Sequence, residues 1–113
     1  MNFSEYQKES RITARYPIIG VGFVYPTLGL VGEAGELAEK VKKLFRDKDI
    51  QTTKVVSAED KEEIKKELGD VLWYLTQIAT EFELDLNTIA EANIAKLKSR
   101  LERNQIKGDG DNR

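Results

Sequence analysis

The sequence contains no cysteine and no histidine. Without cysteine there is no disulfide, thiolate nucleophile or thiolate zinc site, and without histidine the commonest general base and the usual imidazole ligand are gone as well. Proline is scarce too, 2 residues in 113, and the longest apolar run, Pro17 to Pro26, falls far short of what a membrane-spanning helix needs. No basic-then-apolar leader opens the chain, so the expected location is cytoplasmic. An excess of one charge is also missing. Lys and Arg total 18 against 20 Asp and Glu, and the resulting net charge of −2 gives no sequence-independent pull toward nucleic acid or anionic lipid. What remains is carboxylate chemistry, in which Asp and Glu oxygens hold a hard divalent cation, or no catalysis at all.

What is present is a helical pattern. A chain of 113 residues with 40% hydrophobic and 34% charged residues makes one domain. Asn2 to Tyr16 is weakly amphipathic, and the stretch from Pro17 through Gly22 breaks it. From Pro26 to about Arg46, apolar residues fall at Leu30, Ala34, Leu37, Val41 and Leu44, which is helical spacing. Asp47 to Val56 has no periodicity and reads as a loop. Ser57, with Asp60 three residues on, offers an N-cap to a helix running to about Phe82, and Asp85 caps a last one carrying Leu86, Ile89, Ile94, Leu97 and Leu101. The expected fold is all-α. It is a bundle of about four helices around a central antiparallel hairpin, completed by oligomerisation, with residues 1–106 as the domain and 107–113 as a tail.

Two acidic pairs stand out, Glu33 with Glu36 and Glu67 with Asp70, each at i,i+3 spacing on a predicted helix. Projected at about 100° per residue, each pair flanks its helix's apolar arc in the same sense. With the arcs face to face in an antiparallel hairpin, both pairs emerge on one side. Measured from the hairpin ends, Glu36 and Glu67 also lie at nearly the same height. Four like charges at one level repel, so a compensating cation is the economical explanation, and all-oxygen ligands suit Mg²⁺ or Mn²⁺. The Glu-x-x-His motifs of a ferritin-like di-iron site are impossible without histidine. Trp73 projects away from its own helix's apolar arc, and an exposed Trp on a polar face calls for a second subunit to cover it.

Gly32-Glu33-Ala-Gly-Glu36-Leu-Ala-Glu39, followed by Glu67-Leu-Gly-Asp70-Val-Leu-Trp-Tyr74, resembles the Glu-x-x-Glu and Glu-x-x-Asp signature of the MazG-like, all-α nucleoside triphosphate pyrophosphohydrolases. Asn93-Ile-Ala-Lys96-Leu-Lys-Ser-Arg100 is similar to that family's Asn-x-x-Lys…Arg helix, and the ending Gly108-Asp-Gly-Asp-Asn-Arg113 is similar to that of its short members. The resemblance implies hydrolysis of a nucleoside triphosphate between the α- and β-phosphates, serving nucleotide-pool cleansing, with Glu33, Glu36, Glu67 and Asp70 as metal-holding catalytic residues. It also implies a homo-oligomer, and the tetramer is expected over the dimer. Lys96 and Arg100, one helical turn apart, are candidates for phosphate oxygens, Asn93 for sugar or phosphate, and Tyr74 for the edge of the ligand. Arg113 is a further candidate, as a bidentate clamp on phosphate. A non-catalytic helical interaction module is the competing reading; it needs only an exposed apolar face.

Overall fold

A computed structural model describes residues 1–18 and 21–113, so part of the expected break at 17–22 lies outside the described residues. The chain is all-helical, in the order α1 (Phe3–Ser10), a 3₁₀ turn (Arg11–Thr13), α2 (Val24–Asp47), α3 (Ile50–Thr53), α4 (Ala58–Glu81) and α5 (Leu86–Glu102). The first helix is shorter than the pattern predicts. Asn2 and Glu5 form a reciprocal capping box at its start, but Ser10 turns its hydroxyl back to the carbonyl of Gln7, and the chain tightens into the 3₁₀ turn there. Inside the predicted 47–56 loop the single turn α3 forms between two left-handed residues, Asp49 and Lys54. The other caps lie where the sequence puts them: Ser57 Oγ accepts from the Asp60 N–H at 3.1 Å, and Asp85 Oδ1 from the Asn87 N–H at 2.8 Å.

The two 24-residue helices α2 and α4 form the antiparallel hairpin. Its register can be read from side-chain neighbours: Gly29 meets Tyr74, Glu33 lies with Glu67 and Asp70, and Lys40 reaches Glu63 and Glu67. The seam does not run where the apolar arcs predict. On α2 the buried and half-buried line is Pro26, Leu30, Glu33, Leu37, Lys40 and Leu44, so Glu33 stands within the contact, while Val31, Val41 and Phe45 on the outer part of the arc are exposed. Helix α4 behaves alike: Ile64, Glu67, Val71 and Ile78 are half-buried, whereas Leu68, Leu75 and, at its C-cap, Phe82 are exposed. The Tyr74 ring laid over Gly29 and the Lys40 contacts with Glu63 and Glu67 lie along this seam.

The N-terminal segment and α5 close over the second half of α4, and what they bury is partly polar. Gln77 and Thr76 have no solvent exposure at all. Gln77 Nε2 donates to Ser10 Oγ at 2.9 Å, while its Oε1 accepts from Arg11 Nη1 at 3.3 Å, and Arg11 Nη2 pairs with Glu81 at 2.9 Å. Gln7 ties the α4–α5 turn by donating to Thr80 Oγ1 and the Leu84 carbonyl and accepting from the Leu86 N–H at 2.8 Å. These bonds satisfy side chains that would each be costly to bury alone.

The resulting unit is open. Its radius of gyration is 17.3 Å, against about 13 Å for a compact chain of this length. Its accessible surface is 8414 Å², against about 6,300 Å² for a compact monomer of this mass. Among the described residues only Pro26, Leu44, Ala79 and Leu86 are buried apolar side chains.

Candidate metal centre

At the middle of the hairpin, Glu33 on α2 and Glu67 and Asp70 on α4 each present a carboxylate oxygen, and the three oxygens lie within 4.8 Å of one another. The register puts one turn of α2 opposite one turn of α4, and the rotation of the seam turns Glu33 and Glu67 inward, leaving both half-buried while Asp70 stays exposed. Glu36, one turn further along α2, is exposed and is not one of the three-oxygen group. Its charge still acts there. The Glu33 carboxyl is pushed above its ordinary range, first by burial and then by the charges of Asp70, Glu67 and Glu36. A carboxylate held among like charges is the complement of a cation, and an all-oxygen donor set fits a hard divalent ion.

One cation of the chain's own stands at the edge. Lys40 Nζ is 3.6 Å from Glu67 Oε1 and 3.6 Å from Glu63 Oε2. The apolar periodicity of α2 did not single out Lys40; the signal available was its i,i+4 relation to Glu36, which directs it toward the level of the acidic pair on α4.

Tyr74 lies beside the cluster, and its hydroxyl is pushed up by burial and by the nearby charges of Tyr25, Glu33 and Asp70. It belongs to an aromatic group that sequence spacing does not reveal. Tyr16 and Tyr25 stack with centroids 5.6 Å apart, Trp73 meets Tyr16 edge-on at 6.3 Å and Tyr74 edge-on at 5.1 Å. These rings, with Arg15, line a cleft of about 220 Å³. The expectation that a second subunit must cover Trp73 is thereby corrected. Its own N-terminal segment covers it: Trp73 Nε1 donates to Thr13 Oγ1 at 3.1 Å. The projection missed this because residues 11–16 fold back over α4, a long-range contact no local period encodes.

The basic residues lie on α5. Asn93 is exposed, Lys96 half-buried and Arg100 buried at 4% exposure. Lys96 and Arg100 both contact Asp111 of the tail. Arg113 directs its guanidinium to the carbonyls of Gln105, Ile106 and Gly110, all within its own tail and the end of α5's connection.

With this geometry in place, the comparison with known proteins is decisive. The family model described as the MazG nucleotide pyrophosphohydrolase domain matches residues 26–104. The chain belongs to that family. The match covers α2 from Pro26 onward and all of α4 and α5, and so takes in the acidic cluster and the Lys96–Arg100 pair. Among relatives, the chain is 45% identical over 118 residues to the Gene 37 protein of Mycobacterium phage L5, with all of both chains covered. It is 33% identical over 99 residues to the uncharacterized protein YvdC of Bacillus subtilis (strain 168), covering 87% of this chain and 88% of the other. No solved structure matches this MazG-family chain at a significant level. No helix among the described residues is long and apolar enough to cross a membrane.

Proposed function

We propose that this MazG-family protein hydrolyses a nucleoside triphosphate between the α- and β-phosphates, releasing a monophosphate and pyrophosphate, in the cytoplasm and in the service of nucleotide-pool cleansing. The observation that carries this reading is the meeting of Glu33, Glu67 and Asp70 oxygens within 4.8 Å at the centre of the hairpin. These three would hold Mg²⁺ or Mn²⁺, with Glu36, one turn from Glu33 at the open flank, as the fourth carboxylate. The bound cation would shield phosphate oxygens and lower the pKa of a water. The chain's own residues supply the rest. Lys96 and Arg100 bring positive charge for the phosphates, Asn93 shares their face of α5, and the rings of Tyr16, Tyr25, Trp73 and Tyr74 beside the cluster offer flat faces to a nucleobase. Arg113, turned onto tail carbonyls, serves the fold of the tail in this state.

The protein acts as a homo-oligomer, with the tetramer favoured over the dimer. Its support is the open monomer and the exposed apolar line of Leu68 and Leu75 on α4, continued by the C-cap residue Phe82. The same line is what the competing reading, a non-catalytic interaction module, would need. A panel of canonical and damaged nucleotides scored for pyrophosphate, with and without Mg²⁺, separates the two. Mg²⁺-dependent pyrophosphate release supports hydrolysis; none from any nucleotide leaves the interaction module.

A further inference from the structure

Lys96 Nζ and Arg100 Nη2 stand 3.1 and 3.3 Å from a single oxygen, Asp111 Oδ1. Two cations on adjacent turns of α5 converging on one anionic oxygen make the arrangement that would receive a phosphate oxygen. The occupant, however, fills it incompletely. Arg100 is 4% exposed, and its Nε is buried with no hydrogen-bond partner among the described residues. Meanwhile Nη2 takes the Asp111 carbonyl at 2.5 Å, the Gly110 carbonyl at 3.5 Å and the Asp111 carboxylate. One nitrogen of the fork is used three times and its neighbour not at all. A carboxylate approached at one oxygen cannot engage the fork side-on; a phosphate group, with three oxygens, can take Nε and Nη2 together.

The segment that brings Asp111 is suited to release. Residues 107–113 contain no apolar side chain, Gly108 and Gly110 hold φ of 130° and 83°, and the Asp111 side chain is 82% exposed. The curl is closed by Arg113 on the carbonyls of Gln105, Ile106 and Gly110, and it is tied to α5 by Asp111 and by the bond from Arg103 to the Arg113 carbonyl at 2.8 Å. Left-handed glycines allow it to swing without strain.

We propose that the C-terminal tail is a substrate-displaced latch: Asp111 occupies the Lys96–Arg100 pair as an internal stand-in for a phosphate group and leaves when a triphosphate binds. The proposal rests on the reading of that pair as phosphate-binding, and it adds regulation to the site. The tail keeps two cations aligned while the site is empty, and every phosphate must compete with a carboxylate of the same chain.

The test is titration of inorganic tripolyphosphate into the full chain in EDTA, so that the acidic cluster holds no cation. Asp111→Asn removes the competing charge and should bind about fivefold tighter than wild type, the effect of losing the ion pairs that this exposed carboxylate makes with Lys96 and Arg100. Asp111→Glu keeps the charge and should bind like wild type, and Lys96→Gln should bind more weakly. Hydrogen exchange of residues 108–113 in the wild-type chain should rise when tripolyphosphate is added. Unchanged or weaker binding by Asp111→Asn, or a tail that becomes more protected with ligand, overturns the latch. Pyrophosphate release from nucleotides is a separate measurement. Its absence, with tighter tripolyphosphate binding by Asp111→Asn, would overturn the hydrolase reading and leave the latch standing.

Discussion

A Cβ placed on Gly29 would lie 2.2 Å from Cε1 of Tyr74, so the phenol ring fills the space that any other residue at position 29 would claim. The contact falls one turn before Glu33, and it lets the ring lie on the α2 backbone beside the acidic cluster. Gly29→Ala should therefore displace Tyr74 or push the helices apart, destabilising the fold by about 1–3 kcal/mol and weakening nucleotide binding. Gly35, where an added Cβ meets nothing within 4 Å, is the control. Gly35→Ala should stabilise by about 0.5–1 kcal/mol through helix propensity alone. Paired urea titrations decide it; equal effects at the two positions would refute the packing argument.

The contrast between those glycines shows what the sequence can carry. Both sit in a helical stretch of α2, and only the partner helix distinguishes them. Local chemistry was legible: the Ser57 and Asp85 caps, the hairpin and the common level of Glu33, Glu67 and Asp70 follow from period and spacing. The rotation of the seam was not, because it depends on Tyr74 and Lys40 meeting residues of the other helix. Nor was the cover over Trp73, which comes from Thr13 and Tyr16 across some 60 residues of chain. The Lys96–Arg100 pair was legible as a basic face, whereas its occupation by Asp111 depends on a tail whose composition alone predicts disorder.

The second prediction concerns the acidic cluster and pH. Burial first, and then Asp70, Glu67 and Glu36, raise the Glu33 pKa above its unfolded value, so the native state holds a proton there more tightly than the unfolded chain. Without a divalent ion, this group's contribution to stability falls as pH rises from the ordinary Glu value through the raised one. The penalty then persists at neutral pH. Glu33→Gln should raise the thermal midpoint in EDTA, flatten its dependence on pH across that window and abolish the upward shift produced by Mg²⁺ in the wild type. Activity should fall by about 100-fold, equivalent to ~2.7 kcal/mol of transition-state stabilisation. Calorimetry from pH 4 to 8 with and without Mg²⁺ checks the sign; a lower midpoint for the variant in EDTA would contradict it.

The third prediction concerns the polar anchor beneath α1. Gln77 is fully buried, donates to Ser10 and accepts from Arg11, which also binds Tyr16 at 2.8 Å and Glu81. Gln77→Ala leaves a cavity and takes away the donor to Ser10 Oγ, which keeps only its own bond to the Gln7 carbonyl, as well as the acceptor for Arg11, a loss of about 2–4 kcal/mol. Because Tyr16 stacks on Tyr25 and meets Trp73, loosening the segment should also open the aromatic cleft. Trp73 fluorescence should shift to the red at temperatures where the helical circular dichroism is still intact. Coincident transitions would mean that the anchor holds the whole fold and not the N-terminal segment alone.

The last prediction concerns assembly, for which Trp73 no longer supplies the reason. Projected at about 100° per residue, Leu68, Leu75 and the C-cap residue Phe82 lie on one line along α4, and Val31, Val41 and Phe45 lie on the matching flank of α2. The two-fold that relates antiparallel helices brings both sets to the same face of the hairpin, opposite the side where Glu36 and Asp70 emerge. Phe82 stacks on Phe23 at 4.5 Å, but the other five are exposed apolar side chains, a patch of the kind that marks an interface, and the surface of 8414 Å² is roughly 2,000 Å² more than a compact monomer exposes. A second hairpin laid on this face would form a four-helix arrangement with both acidic clusters left open on the outside. Leu75, at the middle of the line and only 38% exposed, is the position where a charge does most harm to such a contact. Leu75→Asp should yield monomers in sedimentation at micromolar concentration while retaining the helical circular dichroism of a folded chain. Glu36→Gln, on the other flank, should leave the oligomer intact. A wild-type chain that sediments as a monomer would refute the prediction, as would a Leu75→Asp variant that keeps the wild-type assembly.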